Sequence, residues 1–324
     1  MIIREYKSGD EISITELFLI ASPRHLRTPM YWEWSNLRNP YGKSLSLVVE
    51  EDDKIIAHYS VVPLEMNVDD IVIVGGRSQQ AVVHPNFRNL KVIMDLTDRV
   101  WKKAVNRFPF ICSFPNDDFW KIKQKLMGWE KIGKFFADII SIPAVIEVLK
   151  HNSFQRFTVK RINRFPLEIN KWLNKNKKGK IYPLKSAESL NWRFFAHPLH
   201  YYFVFGVYDN KTLAGYIVFK IYWDGKQAIG HFIDFDVKNN EEKYLLSLIE
   251  QLSLFSMRCK IINIIFWNGQ SEYFNIFNQF NIKKGGFKTN FGIKFLDNKI
   301  QKKNKKILLD ISQWNFTMAL SDIF

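Results

Sequence analysis

Residues 81–96, AVVHPNFRNLKVIMDL, constrain the chain more than any other segment. An apolar run over 81–83 meets the break His84-Pro85, Phe87-Arg88 follow, and from Leu90 onward apolar residues recur at helical spacing. A strand that enters a helix through so short a turn sets the helix N-terminus at the strand's end. There, unpaired backbone N–H groups and the positive end of the helix dipole suit an anion. Glycine is the residue that lets a backbone close on such an anion, because a Cβ holds it away. This turn instead carries Arg88, Asn89, Leu90, Lys91, Val92 and Ile93. Lys91 adds an ammonium as a point charge on a flexible stem.

The segment resembles one in the GNAT acetyltransferase superfamily, in which an apolar strand runs into V-H-P-x-[FY]-R and then a turn R-G-x-G-x-[GA] opening a helix. The strand, His84, Pro85, Phe87 and Arg88 match, whereas Asn89, Lys91 and Ile93 replace the glycines. The resemblance implies acetyl-CoA or another acyl-CoA as co-substrate. Its pyrophosphate would lie against Arg88, Asn89, Leu90, Lys91, Val92 and Ile93, and its pantetheine arm would add to the strand edge at Val82 and Val83. Asn116, just past the fifth strand, would hydrogen-bond the same arm, and an N-cap role for it is compatible with that.

Neighbouring segments keep the order of the same family. Residues 2–6 read as a strand, 8–11 as a turn and 12–20 as a periodic helix. Residues 45–50 and 55–64 are β-branched runs separated by Glu51-Asp52-Asp53-Lys54, a hairpin signature. Residues 110–114 form a short buried strand, then Pro115-Asn116, then a helix over 117–127 closed by Gly128-Trp129. The resemblance spans about the first 140 residues.

A second copy follows. Trp34 and Pro40 precede the first pair of strands, and Trp192 and Pro198 precede a similar pair over 201–208 and 213–221 around Asp209-Asn210-Lys211. Residues 260–267, Asn268 and Gly286-Phe287 echo 110–114, Asn116 and Gly128-Trp129. The expected fold class is α/β (α+β): two tandem GNAT-like domains, each a mixed, mostly antiparallel twisted sheet flanked by helices. The boundaries fall at 1–145, a basic linker over 146–185, and 186–324. In the second copy the turn reads Lys238-Asn239-Asn240-Glu241-Glu242, whose carboxylates suit the dipole but repel a phosphate. That half is expected to be structural or to bind the acceptor, which would lie between the two halves.

Acyl transfer needs a neutral nucleophile, a donor for the oxyanion and a proton for the departing thiolate. Many family members place a Tyr four residues before the closing glycine, and the count back from Gly128 reaches Gln124, which is no acid. Gln79 and Gln80 stand in the strand region where some members carry Glu. His84 has the right titration range but reads as a turn residue, and Glu65, Asp69 and Asp70 read as acidic hairpin positions. The catalytic residues are therefore left unidentified by sequence. Tyr31, Trp32, Trp34, Trp192, Phe194 and Phe195 read first as core and second as lining for an acceptor.

The 324 residues, 47% hydrophobic and 15% aromatic, suffice for two ordinary cores. No charged-then-apolar leader opens the chain and no apolar run reaches membrane length, the nearest being 139–149. Cys112 and Cys259 lack metal spacing and read as reduced core thiols in a cytoplasmic protein. The net charge of +15 concentrates in Asn-mixed lysine runs over 171–185 and 299–306, which read as solvated loops ahead of a nucleic-acid surface. The tail over 314–318, with Asp322, resembles the closing segment of a GNAT subgroup and suggests a complete chain.

The expected activity is transfer of an acyl group, acetyl first, from acyl-CoA to an amine of a small molecule or polysaccharide precursor, without a metal. Two other readings use the same residues. One is an aminoacyl transferase taking charged transfer RNA, although the helical insertion usual in such proteins is not found. The other is a non-catalytic scaffold that kept the fold and lost the glycines.

Overall fold

The computed structural model of the protein describes residues 1–23, 26–175, 177, 180–267 and 273–321, without the side chains of Phe274, Gly286 and Phe287. The readings placed on Asn268, Lys178 and Asp322, and on the side chains of Gly286-Phe287, lie outside what is described. In chain order the strands begin with β1 (Ile2–Glu5), and α1 (Asp10–Ala21) and α2 (Pro29–Asn36) follow it. Then come β2 (Leu45–Glu51), β3 (Lys54–Val68), β4 (Ile71–Val83), α3 (Leu90–Ala104), β5 (Phe110–Ser113) and α4 (Asp117–Leu126). The middle of the chain holds β6 (Glu130–Ser141), α5 (Ile142–His151), β7 (Thr158–Arg161), β8 (Ile181–Pro183) and α6 (Ala187–Phe194). The last third holds β9 (Phe203–Asp209), β10 (Thr212–Trp223), β11 (Ala228–Val237), α7 (Glu242–Arg258), β12 (Asn263–Phe266), α8 (Phe274–Asn278), β13 (Lys283–Phe295) and α9 (Asn298–Leu309).

The chain forms two compact units, one of residues 1–133, 197–199 and 290–310, the other of 134–196, 200–289 and 311–324. In the first, the strands run β1-β2-β3-β4-β5 and end on the 290–295 part of β13. All pair antiparallel except β4 with β5. β2 is buried at every position from Leu45 to Val49 because both faces are covered. Leu47 and Val49 join Val92, Leu96 and Val100 of α3, while Val48 between them joins Ile14, Leu17 and Phe18 of α1.

Three two-residue hairpins share one turn chemistry. Asp52-Asp53, Asp69-Asp70 and Asn210-Lys211 all have positive φ at both central positions, the twist that right-handed strands require. Asp69 and Asp70, expected at a hairpin end, are thus turn formers, whereas Glu65, expected beside them, lies within β3 across from Val74. Gly76 of β4 shows why the adjoining strand positions stay small: a Cβ there would meet Val61 Cγ1 at 2.6 Å.

In the second unit, β6 (residues 134–141), β12, β11, β10, β9 and β7 lie in that order, with β11 and β12 parallel. Here the succession β9-β10-β11, a 3-10 turn, α7, β12 and α8 repeats β2-β3-β4, a 3-10 turn, α3, β5 and α4. The strand beside β12 is β6, which follows α4 in sequence, and the one beside β5 belongs to β13, which follows α8. The closing strand of each sheet thus comes from the other half of the sequence. Segment 146–185, read as a basic linker, contributes most of α5 and all of β7, and buries Phe165, Ile169, Trp172 and Leu173.

Candidate active site

β4 is held on one side only for most of its second half. With β5 it pairs at Gly76–Ile111 and Arg77–Cys112, after which β5 stops at Ser113 while β4 runs on to Val83. With β3 it pairs throughout, interrupted by a bulge between His58 and Ser60 where Gln80 takes φ 54°. Such a bulge survives only if its polar groups are satisfied. His58, fully buried, donates from Nδ1 to the Gln80 carbonyl at 3.0 Å, which leaves Nε2 to accept from Ser46 Oγ at 2.9 Å and from Trp32 Nε1 at 3.4 Å. Burial pulls the His58 pKa down to about 4, so the ring is neutral. Gln80 Oε1 accepts from Asn36 Nδ2, and Gln79 donates to Ser35 and accepts from Arg77. The two glutamines therefore brace the bulge and its neighbouring pair.

Past the bulge, Val82 is buried against α1 and Val83 is half-buried. His84 Nδ1 accepts from the Asn86 N–H at 3.2 Å, the turn role expected of it. Arg88 is exposed and donates to the carbonyls of Val83 and Ala21 at 3.3 and 2.8 Å. Asn89 is the N-cap of α3, its Oδ1 accepting from the Val92 N–H at 2.9 Å. Among the four first-turn donors this cap takes one, and those of Leu90 and Lys91 lie on an exposed face. The side chains in place of glycine part company: Ile93, with Val92, turns into the α3 core, and Lys91 turns to solvent. A phosphate group approaching the turn thus meets Lys91 and Leu90 but not Ile93.

Asn116 caps α4, with Oδ1 accepting from the Phe119 N–H at 2.9 Å. Gln124 of that helix is exposed. One position earlier the helix carries what sequence reasoning missed. Lys123 is fully buried, and its Nζ donates to Ser78 Oγ of β4 at 2.9 Å, Ser113 Oγ of β5 at 3.2 Å and Tyr59 OH of β3 at 3.2 Å. Tyr59 OH and Ser78 Oγ are themselves 2.5 Å apart. The amine therefore ties β4 to β5 at the point where they separate. Burial pulls its pKa well below the usual lysine value, with Lys294 adding to the fall. A lysine in the helix after β5 reads in sequence like any solvated helix lysine; the one available signal was its spacing from Phe119 and Trp120 on a face that must also pack.

No family model matches the sequence, and comparison with curated proteins gave no match. Solved structures do match. A GCN5-related N-acetyltransferase from Anabaena variabilis superposes with a TM-score of 0.66 at 10% identity, covering 91% of this chain and 73% of that one. A conserved protein of unknown function from Enterococcus faecalis, described as a probable N-acyltransferase, gives 0.70 at 10% identity, covering 94% and 74%. This chain has the GNAT fold. Saccharomyces cerevisiae N-myristoyltransferase, solved with bound myristoyl-CoA and inhibitors, also shares it, with a TM-score of 0.61 at 10% identity over 91% of this chain and 80% of the other.

In the second unit, the turn after β11 leads to α7 through Glu241, which makes no side-chain cap and lies 3.7 Å from Lys243. Two lysines of the run read as solvated are buried on that sheet instead. Lys185 meets Asp234 at 2.7 Å and Lys177 meets Asp236 at 2.7 Å, with 13% and 4% of their side chains exposed. Of the aromatics, Tyr31, Trp32, Trp34 and Phe194 are buried, while Trp192 and Phe195 are half-buried. Cys112 is a buried thiol pushed up to about 11, and Cys259 is half-buried. Among the described residues no His, Cys, Asp and Glu group is placed to hold a metal, and no helix is long and apolar enough to cross a membrane.

Proposed function

We propose that the chain is a cytoplasmic acyltransferase that takes an acyl group from acyl-CoA, acetyl-CoA first, and passes it to an amine of a small molecule or polysaccharide precursor. The observation that carries this reading is the parting of β4 and β5 after Arg77–Cys112, directly before the exposed N-terminus of α3. An extended arm adds to a strand edge by main-chain hydrogen bonds, and residues 79–83 present such an edge toward the missing β5 partner. The pyrophosphate would rest on the N–H groups of Leu90 and Lys91 with the Lys91 ammonium beside it, Arg88 bracing the turn from behind. Asn116 stands at the far side of the parting. The halves 1–145 and 186–324 fit tandem GNAT-like copies of which the second serves structure or the acceptor, as its recurring element order and its Glu241-Glu242 turn suggest.

The hydroxyls of Ser78 and Ser113, backed by the Lys123 amine, supply a proton-bearing chain at the parting, with no carboxylate bonded to that amine among the described residues. This assigns to them the proton for the departing thiolate, which Gln124 cannot provide.

The Asn89 cap favours a second reading, a scaffold whose turn satisfies itself. Calorimetric titration of the whole chain with acetyl-CoA separates the two. Saturable binding that Lys91→Glu weakens by about tenfold, some 1.4 kcal/mol, supports the transferase; no heat of binding in the wild type leaves only the scaffold.

A further inference from the structure

On the second unit's sheet, Lys220 of β10 stands directly across from His231 of β11 in antiparallel register. Directly opposed side chains on one face have Cβ atoms about 4.5–5.5 Å apart, so the ammonium and the imidazole share one small volume. Lys220 is 8% exposed, and among the described residues Arg193, not a carboxylate, is the charged group that acts on it. Its surroundings are cationic. Burial, then the nearby Arg193 guanidinium, pulls Lys220 down to about 8, and burial, then Lys220, pulls His231 down to about 4. Arg193, 9% exposed, is oriented by donating to Tyr202 OH at 2.8 Å and to the Ser321 carbonyl at 3.4 Å. The His231 ring stacks against Tyr222 at 5.6 Å between centroids, and Tyr222 is half exposed, so the cluster reaches solvent along this hairpin.

Lys220, drawn out of water beside Arg193 and with no counter-charge of its own among the described residues, raises the free energy of the folded chain. An anion seated beside it would offset that cost and favour the charged forms of Lys220 and His231. We propose that Lys220, His231 and Arg193 form a binding site for a small oxyanion, the carboxylate or phosphate group of a metabolite. That this metabolite is the acyl acceptor rests on the acyltransferase reading; the site itself does not.

The test uses the full-length chain without any coenzyme. Thermal unfolding is followed in inorganic phosphate, in acetate and in chloride at one ionic strength. The expected result is a higher Tm in phosphate or acetate than in chloride, the larger shift telling phosphate ester from carboxylate as the preferred group. Lys220→Met is expected to abolish the shift while its Tm in chloride equals or exceeds that of the wild type, and Lys220→Arg to keep the shift. Equal Tm in all three salts for the wild type overturns the site. So does a shift that survives Lys220→Met, or a Lys220→Met protein less stable in chloride, which would give Lys220 a structural partner. Since acetyl-CoA binding is measured separately, loss of either result leaves the other standing.

Discussion

Lys123 Nζ stands 3.7 Å from the centroid of the Trp129 ring, with the hydroxyls of Tyr59, Ser78 and Ser113 closing its other directions. A cation over an indole face is favourable, but among the described residues no carboxylate pairs with it, and desolvation of a full charge outweighs a ring quadrupole and three neutral acceptors.

Lys123→Met is therefore expected to stabilise the protein near neutral pH. The folded pKa lies below the unfolded value of about 10.4, so between the two the unfolded chain holds the extra proton and wild-type stability climbs with pH. The advantage of the variant should accordingly shrink as pH rises toward that upper value. Paired melting curves from about pH 6 to 10 read this directly; a variant less stable at every pH would mean that the hydrogen bonds of the amine dominate. If acyl transfer is present, the same substitution should lower kcat and leave acetyl-CoA affinity intact.

Asn89 decides how many donors the turn can offer. Its φ of −125° and ψ of 158° suit any residue, and its side chain closes the Val92 N–H. Asn89→Gly removes both the cap and the Cβ at a cost of a few tenths of a kcal/mol, whereas Asn89→Ala costs about 1 kcal/mol. The glycine variant is expected to bind acetyl-CoA more tightly than the wild type in calorimetry. Unchanged affinity would place the pyrophosphate elsewhere.

His58 predicts an acid-sensitive first unit. Its pKa falls from 6.5 to about 4 on folding, so the unfolded chain takes up a proton first as pH drops, and stability is lost through that interval. The size is about 3 kcal/mol at ~1.36 kcal/mol per pH unit. His58→Gln can still donate to the Gln80 carbonyl and accept from Ser46, yet does not titrate. Urea unfolding at about pH 7 and pH 4 should show a fall smaller by that amount in the variant, the contribution of His231 cancelling in the difference.

Much of this fold was legible because local signals agreed with one another. The hairpin at Asp52-Asp53, the periodic helix around Ile14 and Leu17, and the strand of Phe110 to Cys112 closed by the Asn116 cap all follow from turn chemistry and period. What stayed hidden depends on partners distant in sequence. Lys123 becomes buried only because Ser78 and Ser113, 45 and 10 residues away, offer hydroxyls to it. Lys177 and Lys185 looked solvated until Asp236 and Asp234, 59 and 49 residues on, drew them inside. Nor does any local pattern say that β13 rather than β6 closes on β5. The turn after β4 was read correctly as a helix start, but that Ile93 points inward and Asn89 caps required knowing which side of α3 meets the sheet.

The same long-range pairing makes Asp234 a sensitive position of the second unit. Its carboxylate, 1% exposed, accepts from Lys185 Nζ at 2.7 Å, Thr317 Oγ1 at 2.6 Å and Tyr216 OH at 2.8 Å, so it joins three separate chain segments. Removing one member of a buried pair costs about 3–5 kcal/mol when the other charge is stranded, and the low end applies here because Asp236 stays 3.9 Å from Lys185 Nζ. Asp234→Ala should lower denaturant stability by about 3 kcal/mol. Lys185→Met on top of it should recover part of that, since the poorly paired ammonium goes and neutral hydroxyls are left to re-pair. If the double variant is no more stable than Asp234→Ala alone, the loss comes from the Tyr216 and Thr317 hydrogen bonds and not from the charge.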